Sequence, residues 1–285
     1  MNIILVDSSY TSFHRFFATL RWLSLAKKEI YKEHKDDPSY DWSQNEIFIE
    51  KYKKMYLESI IKLVSNKVYN DSKLVFCLDA PQKSLWRNDL MECYKGERVD
   101  LSKKNNFKPT FKLTYNQLIP DLVKNNKNIF CIKKSKMEAD DIIALCTKYI
   151  RIKHPDHKVY LVSGDQDFLQ LGYDNLYFAD YKKKGLVNLT QEQAKIALTL
   201  KIINGDCSDN IPSIFPKSKQ DLSLKRRKEI REDIENGKLL KQFLKENKKA
   251  KEQYSINKKM ISFKYIPKDY HKPIYKKIKK ILKSV

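Results

Sequence analysis

Three short apolar runs in this chain each lead to aspartate, and this pattern constrains the fold more than any other feature. The runs and their acids are residues 2–6 with Asp7, 73–78 with Asp79, and 158–162 with Asp165 and Asp167. Such β-prone runs are typical of parallel strands that are buried on both faces. Runs at 128–132 and 176–179 predict two further strands, and segments with helical spacing separate them. We therefore predict an α/β fold with a central, mostly parallel sheet flanked by helices.

The strand-terminal aspartates are expected to meet. The carboxyl ends of parallel strands lie at one edge of a sheet, where α/β proteins form their sites. Asp7, Asp79 and the pair Asp165 and Asp167 should converge at that edge. Each acid could instead be a helix cap or a turn residue, but it is much less plausible that all of them are caps at once.

The densest acidic stretch is Met137-Glu138-Ala139-Asp140-Asp141, which runs directly into an apolar helix. Positions three apart share a helix face, so Glu138 and Asp141 can point at one locus with Asp140 beside them. Taken alone, this stretch is explained more simply as an acidic first turn that suits the helix dipole. Because the strand ends deliver carboxylates in the same way, we expect a bound counter-ion instead. A loop at 204–212 with Asp206 and Asp209 could supply further ligands.

The overall charge predicts a polyanionic partner. The chain has 57 Lys and Arg against 35 Asp and Glu, a formal net charge of +22, and residues 217–285 hold 23 of those cations against 8 acids. Nucleic acid is favoured over a membrane, because no basic amphipathic anchor and no apolar membrane span stand out. A chain that attracts a polyanion yet gathers carboxylates is expected to neutralise them with metal ions. The five cysteines are odd in number and lack a Cys-x-x-Cys pair, which predicts reduced thiols in an intracellular protein that is not secreted.

Carboxylates around hard cations, with lysine and arginine nearby, are the groups that two-metal phosphodiester hydrolysis requires. An oxygen-only ligand set favours two Mg²⁺ ions, with Mn²⁺ as a substitute, over Zn²⁺. The segment from Pro81 to Lys108 interleaves cations with aromatic residues, a pattern that fits phosphate and base contacts. For any single residue of that segment, an ordinary solvated loop is an equally good interpretation.

Five motifs follow one another along the chain: Asp7; Leu78-Asp79 with Trp86-Arg87 and Tyr94-Lys95-Gly96-Glu97-Arg98; Glu138-Ala139-Asp140-Asp141; Ser163-Gly164-Asp165-Gln166-Asp167; and Gly205-Asp206-Cys207-Ser208-Asp209-Asn210-Ile211-Pro212. In this order they resemble the flap endonuclease or 5′-nuclease family. The match spans residues 1 to about 212. The tail motif Phe263-Lys264-Tyr265-Ile266-Pro267 is most similar to the bacteriophage ribonuclease H branch, which removes RNA primers.

The resemblance implies a PIN-like nuclease domain at 1–189, with an arch at about 83–112, and a helical duplex-binding region at 190–285. It implies that the first Mg²⁺ is held by Asp7, Asp79, Glu138 and Asp140. The second ion or its surroundings would involve Asp141, Asp165, Asp167, Asp206 and Asp209. Lys95, Arg98 and Arg87 match basic positions that act on the scissile phosphate. The candidate nucleic-acid contacts are Lys83, Trp86, Tyr94, Lys103, Lys104, Lys217, Lys219, Lys225, Arg226, Arg227 and Arg231.

One departure from the family concerns the helix-hairpin-helix. The family's loop continues into a glycine-containing turn that lets the backbone approach phosphate, whereas this chain continues Ser213-Ile214-Phe215-Pro216. We therefore expect a modified helix-hairpin-helix, whose grip on duplex depends more on cations after position 217. The run 225–228 with Arg231 is the candidate, and a solvated helix face is its equal alternative.

These observations predict a metal-dependent 5′-3′ exonuclease or flap endonuclease with ribonuclease H activity. Its partners would be DNA and RNA–DNA duplexes with 5′ ends or flaps, met during replication. A monomer is expected, with a single-strand-binding protein or a clamp as candidate replication partners. Two alternatives are a PIN-like ribonuclease for single-stranded RNA and a non-catalytic duplex-binding subunit.

Overall fold

The computed structural model describes residues 1–97, 104–183, 185–216 and 222–284. It contains a six-stranded sheet with the order β3-β2-β1-β4-β5-β6. The strands are β1 (Asn2–Asp7), β2 (Ser72–Leu78), β3 (Ile129–Lys133), β4 (Lys158–Val162), β5 (Leu176–Ala179) and β6 (Leu186–Asn188). The first five are parallel, and β6 pairs antiparallel with β5. The predicted parallel α/β sheet is thus confirmed, and β6 is a strand that was not predicted.

Helices cover both faces of this sheet. In the first half of the chain they are α1 (Ser8–Ala26), α2 (Lys28–His34), α3 (Glu46–Val64), α4 (Asn66–Asn70), α5 (Lys108–Leu113), α6 (Ile119–Asn125) and α7 (Ala139–Lys153). In the second half they are α8 (Gln191–Asn204), α9 (Leu224–Glu232), α10 (Lys238–Glu246), α11 (Lys248–Ile261) and α12 (Lys268–Lys283). A π-helical turn, Thr114–Leu118, joins α5 to α6. No helix among the described residues is long and apolar enough to cross a membrane.

Burial on both faces of the sheet explains why the centre of strand β1 is apolar at every position. Ile3 and Leu5 pack in one core with α7, whereas Ile4 and Val6 pack in a second core with α1 and α3. All four side chains are fully buried. Alternate residues of a strand point to opposite faces, so a sheet covered on both faces needs apolar residues at every position.

The final helix returns to the sheet. Ile274 and Ile278 of α12 are fully buried in the same core as α7 and β1. The ammonium group of Lys73, at the start of β2, donates a hydrogen bond to the carbonyl oxygen of Ile281 at 2.8 Å. A cation at the C-terminal end of a helix satisfies its unpaired carbonyl groups. The last helix of the C-terminal region is therefore part of the α/β core.

The sheet order places a site at a defined edge. Strand order reverses direction between β1 and β4, which lie side by side. In open α/β sheets the crevice outside the carboxyl ends of the strands at such a point is where ligands bind. The carboxyl ends of β1, β2 and β4 all lie at this edge.

Candidate active site

A cavity of about 420 Å³ lies at the carboxyl edge of β1, β2 and β4. Its acidic wall consists of Asp7, Asp79, Glu138, Asp140 and Asp165. Asp7 ends β1, Asp79 follows β2 and Asp165 follows β4, so the sheet itself brings three of these carboxylates together. The convergence expected from the strand ends is therefore observed for Asp7, Asp79 and Asp165, whereas Asp167 does not line this cavity.

Helix α7 supplies the other two acids of this wall. Glu138 is the residue that caps α7, and its backbone N–H donates to Oδ2 of Asp141 at 3.3 Å. The backbone N–H of Ala139 donates to Oδ1 of Asp79 at 2.7 Å. Because carboxylates satisfy the free N–H groups of the first turn, the sequence fixes where α7 begins. That starting point places Glu138 and Asp140 at the cavity.

Short polar contacts hold the strand-end acids. Ser163 donates to Oδ2 of Asp7 at 2.9 Å, and Ser9 donates to Oδ2 of Asp79 at 2.5 Å. Ser9 also lies 2.6 Å from the hydroxyl of Tyr115. Gly164 lets the loop after β4 pack against Tyr10, because a Cβ atom at position 164 would lie 2.5 Å from the hydroxyl oxygen of Tyr10. Sequence reasoning missed these hydroxyl partners, since serine and tyrosine carry no distinctive spacing.

A second cavity, of about 320 Å³, continues from the first. Lys95, Glu138, Asp140, Gly164 and Asp165 line both cavities, so together they form one groove, which we call the acidic groove. Among the described residues, Asp167, Asp206 and Asp209 place one carboxylate oxygen each within 4.8 Å of the others. They form the second cluster of the groove, and the acids of the first cavity form the wider first cluster.

The second cluster comes from two loops. Asp165 and Asp167 flank the start of the 3₁₀ helix Gln166–Leu171, while Asp206 and Asp209 belong to the tight turn after α8. Gly205 has φ of +70°, and a Cβ atom there would lie 2.3 Å from the carbonyl oxygen of Ile211. Glycine is required at this position, because no other residue fits so close an approach of two backbone segments.

Lys201 was not predicted from the sequence, yet it lies at the centre of the second cluster. Its Nζ atom lies 2.8 Å from Oδ1 of Asp167 and 2.5 Å from Oδ2 of Asp206. Two flanking carboxylates raise its pKa against the opposing effect of burial. The available signal was a lysine in the last turn of the helix that precedes the Gly205-Asp206 loop.

Lys95 connects the two clusters. Its Nζ atom pairs with Oε1 of Glu138 and lies 3.8 Å from Oδ2 of Asp209. Its backbone N–H donates to the carbonyl oxygen of Asp209 at 3.2 Å, and its φ of 58° lies in the left-handed region. A lysine held in this uncommon conformation is fixed by its surroundings, so its side chain is directed into the acidic groove.

Burial sets the protonation of the first cluster. Burial, and then the neighbouring Asp79, raise the pKa of Asp7 to about 7. Burial, followed by Asp7 and Asp165, raises the pKa of Asp140 well above its ordinary value, and burial also raises that of Asp79. Without additional positive charge, this cluster therefore binds protons near neutral pH.

Elsewhere in the groove, cationic partners lower the pKa of two carboxyl groups. Burial would raise the pKa of Glu138, but Lys95 and Arg87 outweigh it and lower the pKa. The Asp206 pKa is likewise lowered against burial, through hydrogen bonds from Lys201 and Ser208. Asp167 is the exception, because burial and then Asp165 outweigh the effect of Lys201 and raise its pKa to about 6.

These residues fit divalent cations. The donors are carboxylate oxygens, and they are partly buried and crowded to the point of binding protons. Hard cations such as Mg²⁺ and Ca²⁺ prefer such donors and would replace those protons on binding. Asp7, Asp79, Glu138, Asp140 and Asp165 would hold an ion in the first cavity, and Asp167, Asp206 and Asp209 in the second.

Asp141 lies apart from the other predicted metal ligands. Its side chain is fully buried and lines neither cavity. Both of its oxygens accept hydrogen bonds from Arg87, at 3.0 and 2.8 Å, and Oδ2 also accepts one from the indole N–H of Trp86 at 2.8 Å. Glu138 and Asp141 do share one locus, as expected, because Nη1 of Arg87 donates to both carboxylates. That locus holds the Arg87 guanidinium, so the structure corrects only the expectation that Asp141 belongs to a metal site.

Three residues expected to meet nucleic acid are buried instead. The exposed fractions of Trp86, Arg87 and Tyr94 are 4%, 4% and 6%. Arg87 donates to Oε2 of Glu138 at 2.7 Å and to the carbonyl oxygen of Met260 at 2.9 Å. The Tyr94 hydroxyl donates to Glu138 or Asp209, at 3.0 and 3.1 Å. All three side chains position carboxylates; Arg87 and Tyr94 also line the second cavity of the groove, whereas Trp86 lines neither cavity.

The remaining predicted contacts fall into three groups. Lys83, Lys104 and Lys225 are exposed, as a phosphate contact requires. Arg226, Arg227 and Arg231 are engaged within the protein, by Glu229, by the carbonyl oxygens of Leu222 and Pro216, and by Asn204. Arg98, Lys103, Lys217 and Lys219 lie outside the described residues.

Comparisons with known proteins identify a family. Residues 2–198 match the family described as 5′-3′ exonuclease, N-terminal resolvase-like domain. The ribonuclease H of Enterobacteria phage T4 is 28% identical over 153 residues, which is 53% of this chain and 50% of that protein. The 5′-3′ exonuclease of Buchnera aphidicola subsp. Schizaphis graminum is 28% identical over 162 residues, 54% of this chain and 52% of that protein. The match thus spans about half the length of these curated relatives.

A solved structure shares the whole fold. The bacteriophage T5 D15 protein co-crystallised with metal ions superimposes with a TM-score of 0.64 at 18% identity, covering 99% of both chains. The same flap endonuclease in a complex with DNA and metal ions gives a TM-score of 0.59 at 17% identity, again with 99% of both chains covered. At these identities the likeness establishes the fold.

The fold and the groove define an α/β protein with an acidic site at the switch point of a parallel sheet, of the kind that binds divalent metal ions. The family match covers most of the chain. It includes the carboxyl ends of β1, β2 and β4, whereas the loop at 205–212 lies beyond it. The chain belongs to the 5′-3′ exonuclease family.

Proposed function

We propose that this protein is a metal-dependent 5′ nuclease that hydrolyses phosphodiester bonds in branched DNA or RNA–DNA duplexes. The observation that carries the proposal is the acidic groove, in which two clusters of carboxylates face a shared lysine. The family assignment supports the same chemistry. A duplex-binding subunit without activity gains nothing from presenting carboxylates to phosphate, so the groove favours an enzyme.

The chemistry assigns separate tasks to the groups of the groove. Divalent ions bound there would lower the pKa of a water molecule and stabilise the leaving oxygen, with Mg²⁺ as the proposed ion and Mn²⁺ as a substitute. Asp7, Asp79, Glu138, Asp140 and Asp165 would hold the first ion, and Asp165 also lines the second cavity. Asp167, Asp206 and Asp209 would hold the second ion. A T5 5′-exonuclease structure contains bound zinc, so that protein accepts other divalent cations.

Lys95 would act on the phosphate itself. Its ammonium group reaches the groove between the two clusters, where a scissile phosphate would lie. As the phosphate enters, it can take over the ammonium group from Glu138 and Asp209. A cation placed where negative charge develops stabilises the transition state more than the ground state. Arg98, which lies outside the described residues, is proposed to assist it, and Arg87 is proposed to position Glu138.

The substrates that we propose are based on what the related proteins are named for. A phage ribonuclease H and a bacterial 5′-3′ exonuclease support substrates with 5′ ends, and the T5 complex with DNA supports a flap. We propose primer removal during replication, inside the cell, by a monomer. The division at 189/190 into nuclease and duplex-binding regions is part of this proposal, with α12 packed back on the sheet.

The test is a substrate panel. The protein is incubated with 5′-labelled flap, nicked DNA, RNA–DNA hybrid and single-stranded RNA, with Mg²⁺ and with EDTA. We expect Mg²⁺-dependent release of short 5′ products from the flap and hybrid. Cleavage of single-stranded RNA alone would favour the PIN-like ribonuclease, and duplex binding without cleavage in Mg²⁺ or Mn²⁺ would favour the non-catalytic subunit.

A further inference from the structure

A cavity of about 600 Å³ on the far half of α7 has no part in the chemistry proposed above. Its apolar lining includes Leu145, Leu171, Leu198 and Phe263, and Ile152 at its edge is 60% exposed. We call it the α7 cavity. A cavity this large with an exposed isoleucine at its edge suits a bulky apolar side chain from another molecule.

The rim of the α7 cavity is basic. Lys148, Arg151 and Lys264 line it, and all three are exposed. None of them pairs with a carboxylate in the part of the chain that the structure describes, and Arg151 instead lies over the ring of Tyr173, with its guanidinium carbon 5.4 Å from the ring centre. An apolar floor with a cationic rim is complementary to a segment that carries apolar and acidic side chains together.

A buried hydroxyl group independently indicates a ligand. Thr147 lines the α7 cavity, is 2% exposed, and its Oγ1 atom has no hydrogen-bond partner among the residues that the structure describes. In a helix, threonine usually satisfies this group with a carbonyl oxygen one turn earlier. Buried polar groups in native proteins are nearly always paired, so an unpaired one at a cavity wall fits a partner that arrives with a bound molecule.

We propose that the α7 cavity is a docking site for an acidic peptide segment of a partner protein, with one large apolar side chain in the cavity and carboxylates on the rim. Lys148, Arg151 and Lys264 would pair with the carboxylates, and Thr147 would hydrogen-bond to the peptide. Single-stranded nucleic acid fits less well, because a phosphate backbone would leave the apolar floor uncovered.

The position of the α7 cavity connects it to the acidic groove. Phe263 lines both the α7 cavity and the second cavity of the groove. The side-chain amide of Gln170 donates to the carbonyl oxygens of Asp167 and Ile261, at 2.9 and 3.1 Å, and accepts from the N–H of Phe263 at 3.0 Å. A peptide in the cavity would therefore contact the segment that holds Asp167.

The experiment measures binding of a defined probe to the full chain. The probe is a fluorescein-labelled octapeptide of aspartates with one leucine and one phenylalanine, followed by fluorescence anisotropy at low salt. We expect saturable binding that weakens when both apolar residues are replaced by serine, and protection from hydrogen exchange in the second half of α7 and at 262–264. Nuclease activity is not part of the readout, so the result is independent of the proposed function.

Variants of the chain separate docking from general attraction between opposite charges. Lys148→Glu with Arg151→Glu should weaken peptide binding by about tenfold or more, because two rim charges are reversed. The control variant, Lys153→Glu with Lys158→Glu, also reverses two exposed charges but outside the cavity, and should leave binding within about twofold of the parent. Thr147→Val should weaken binding by about fivefold, the effect of one neutral hydrogen bond, without lowering the melting temperature.

Three results would overturn the proposal. The first is that the peptide shows no saturable binding. The second is that the rim variant and the control variant weaken peptide binding equally. The third is that a single-stranded oligothymidine binds instead of the peptide and that the rim variant abolishes this binding. The last result would assign the surface to nucleic acid. Because the serine-substituted peptide tests the apolar contact without changing the protein, a misfolded variant cannot decide the outcome.

Discussion

The ammonium group of Lys95 lies 3.8 Å from Oδ2 of Asp209, although the two residues belong to distant parts of the chain. Because Lys95 also pairs with Glu138, a single cation joins the two carboxylate clusters of the acidic groove. Its backbone is tied to the same turn through the N–H bond to Asp209. Movement of the segment that carries Lys95 is therefore coupled to the turn that carries Asp206 and Asp209.

Cleavage should depend entirely on divalent metal. EDTA is expected to abolish it, and Asp79→Asn is expected to lower the rate in Mg²⁺ by about 10²-fold or more, because it removes charge from the first cluster. Circular dichroism should show an intact fold. The control is Asp36→Asn, because the Asp36 side chain is 83% exposed and lines neither cavity of the groove. Undiminished cleavage by the Asp79 variant would remove that residue from the metal site.

The metal-free protein should become less stable as pH rises. Folding raises the pKa of Asp7 from 3.8 to about 7, so the folded state binds this proton more tightly than the unfolded chain does. Stability must then fall as pH increases from about 4 through about 7, and the loss is complete above that range. Asp7→Asn should raise the melting temperature in EDTA at about pH 8 and change it little near pH 4. An unchanged melting temperature at both pH values would show that Asp7 carries no such penalty.

Lys95→Ala should separate chemistry from binding. We expect the single-turnover rate to fall by roughly 10²–10³-fold, with a much smaller change in substrate affinity, because the lysine acts on transition-state charge. Lys83→Ala provides the comparison, since Lys83 is exposed and lines neither cavity of the groove. Lost affinity with an intact rate at saturating substrate would make Lys95 an ordinary phosphate contact.

Lys201→Met should make stability depend on metal. Lys201 supplies the positive charge between Asp167 and Asp206, so its loss leaves three close carboxylates without it. We expect a lower melting temperature in EDTA that Mg²⁺ largely restores, because a cation can take over the same role. Lys228→Met is the matched control, since Lys228 lies 3.6 Å from an exposed glutamate. Equal losses in EDTA and Mg²⁺ would point to lost packing instead.

The basic run on α9 should divide into two kinds of residue. Lys225→Gln with Lys228→Gln should flatten the salt dependence of duplex binding by up to about two units on a log–log plot, without changing the melting temperature. Arg227→Gln should instead lower the melting temperature, because its guanidinium holds the carbonyl oxygens of Pro216 and Leu222. Binding would be measured in Ca²⁺ across a salt series. An unchanged slope for the lysine pair would exclude this run from the duplex interface.

The sequence alone determined the sheet and most of the groove. Apolar runs such as residues 2–6 can be buried only between two layers of helices, which makes the sheet parallel and its carboxyl ends adjacent. Asp7, Asp79 and Asp165 follow those runs directly, so their meeting is a consequence of strand order. The start of α7 was also readable, because carboxylates cap a first turn.

Only the tertiary structure decided which polar side chains serve the groove and which serve the core. Asp141 and Asp140 are neighbours of the same type, yet one binds Arg87 and Trp86 in the core while the other lines the groove. Trp86 and Tyr94 look like exposed aromatic residues in a basic loop but are buried against acids. Lys201 differs from Lys195, the other lysine of α8, by its place in the last turn before Gly205, but that place does not specify its carboxylate partners. The direction and partners of a side chain depend on segments distant in sequence, and local spacing cannot specify which of them will pack together.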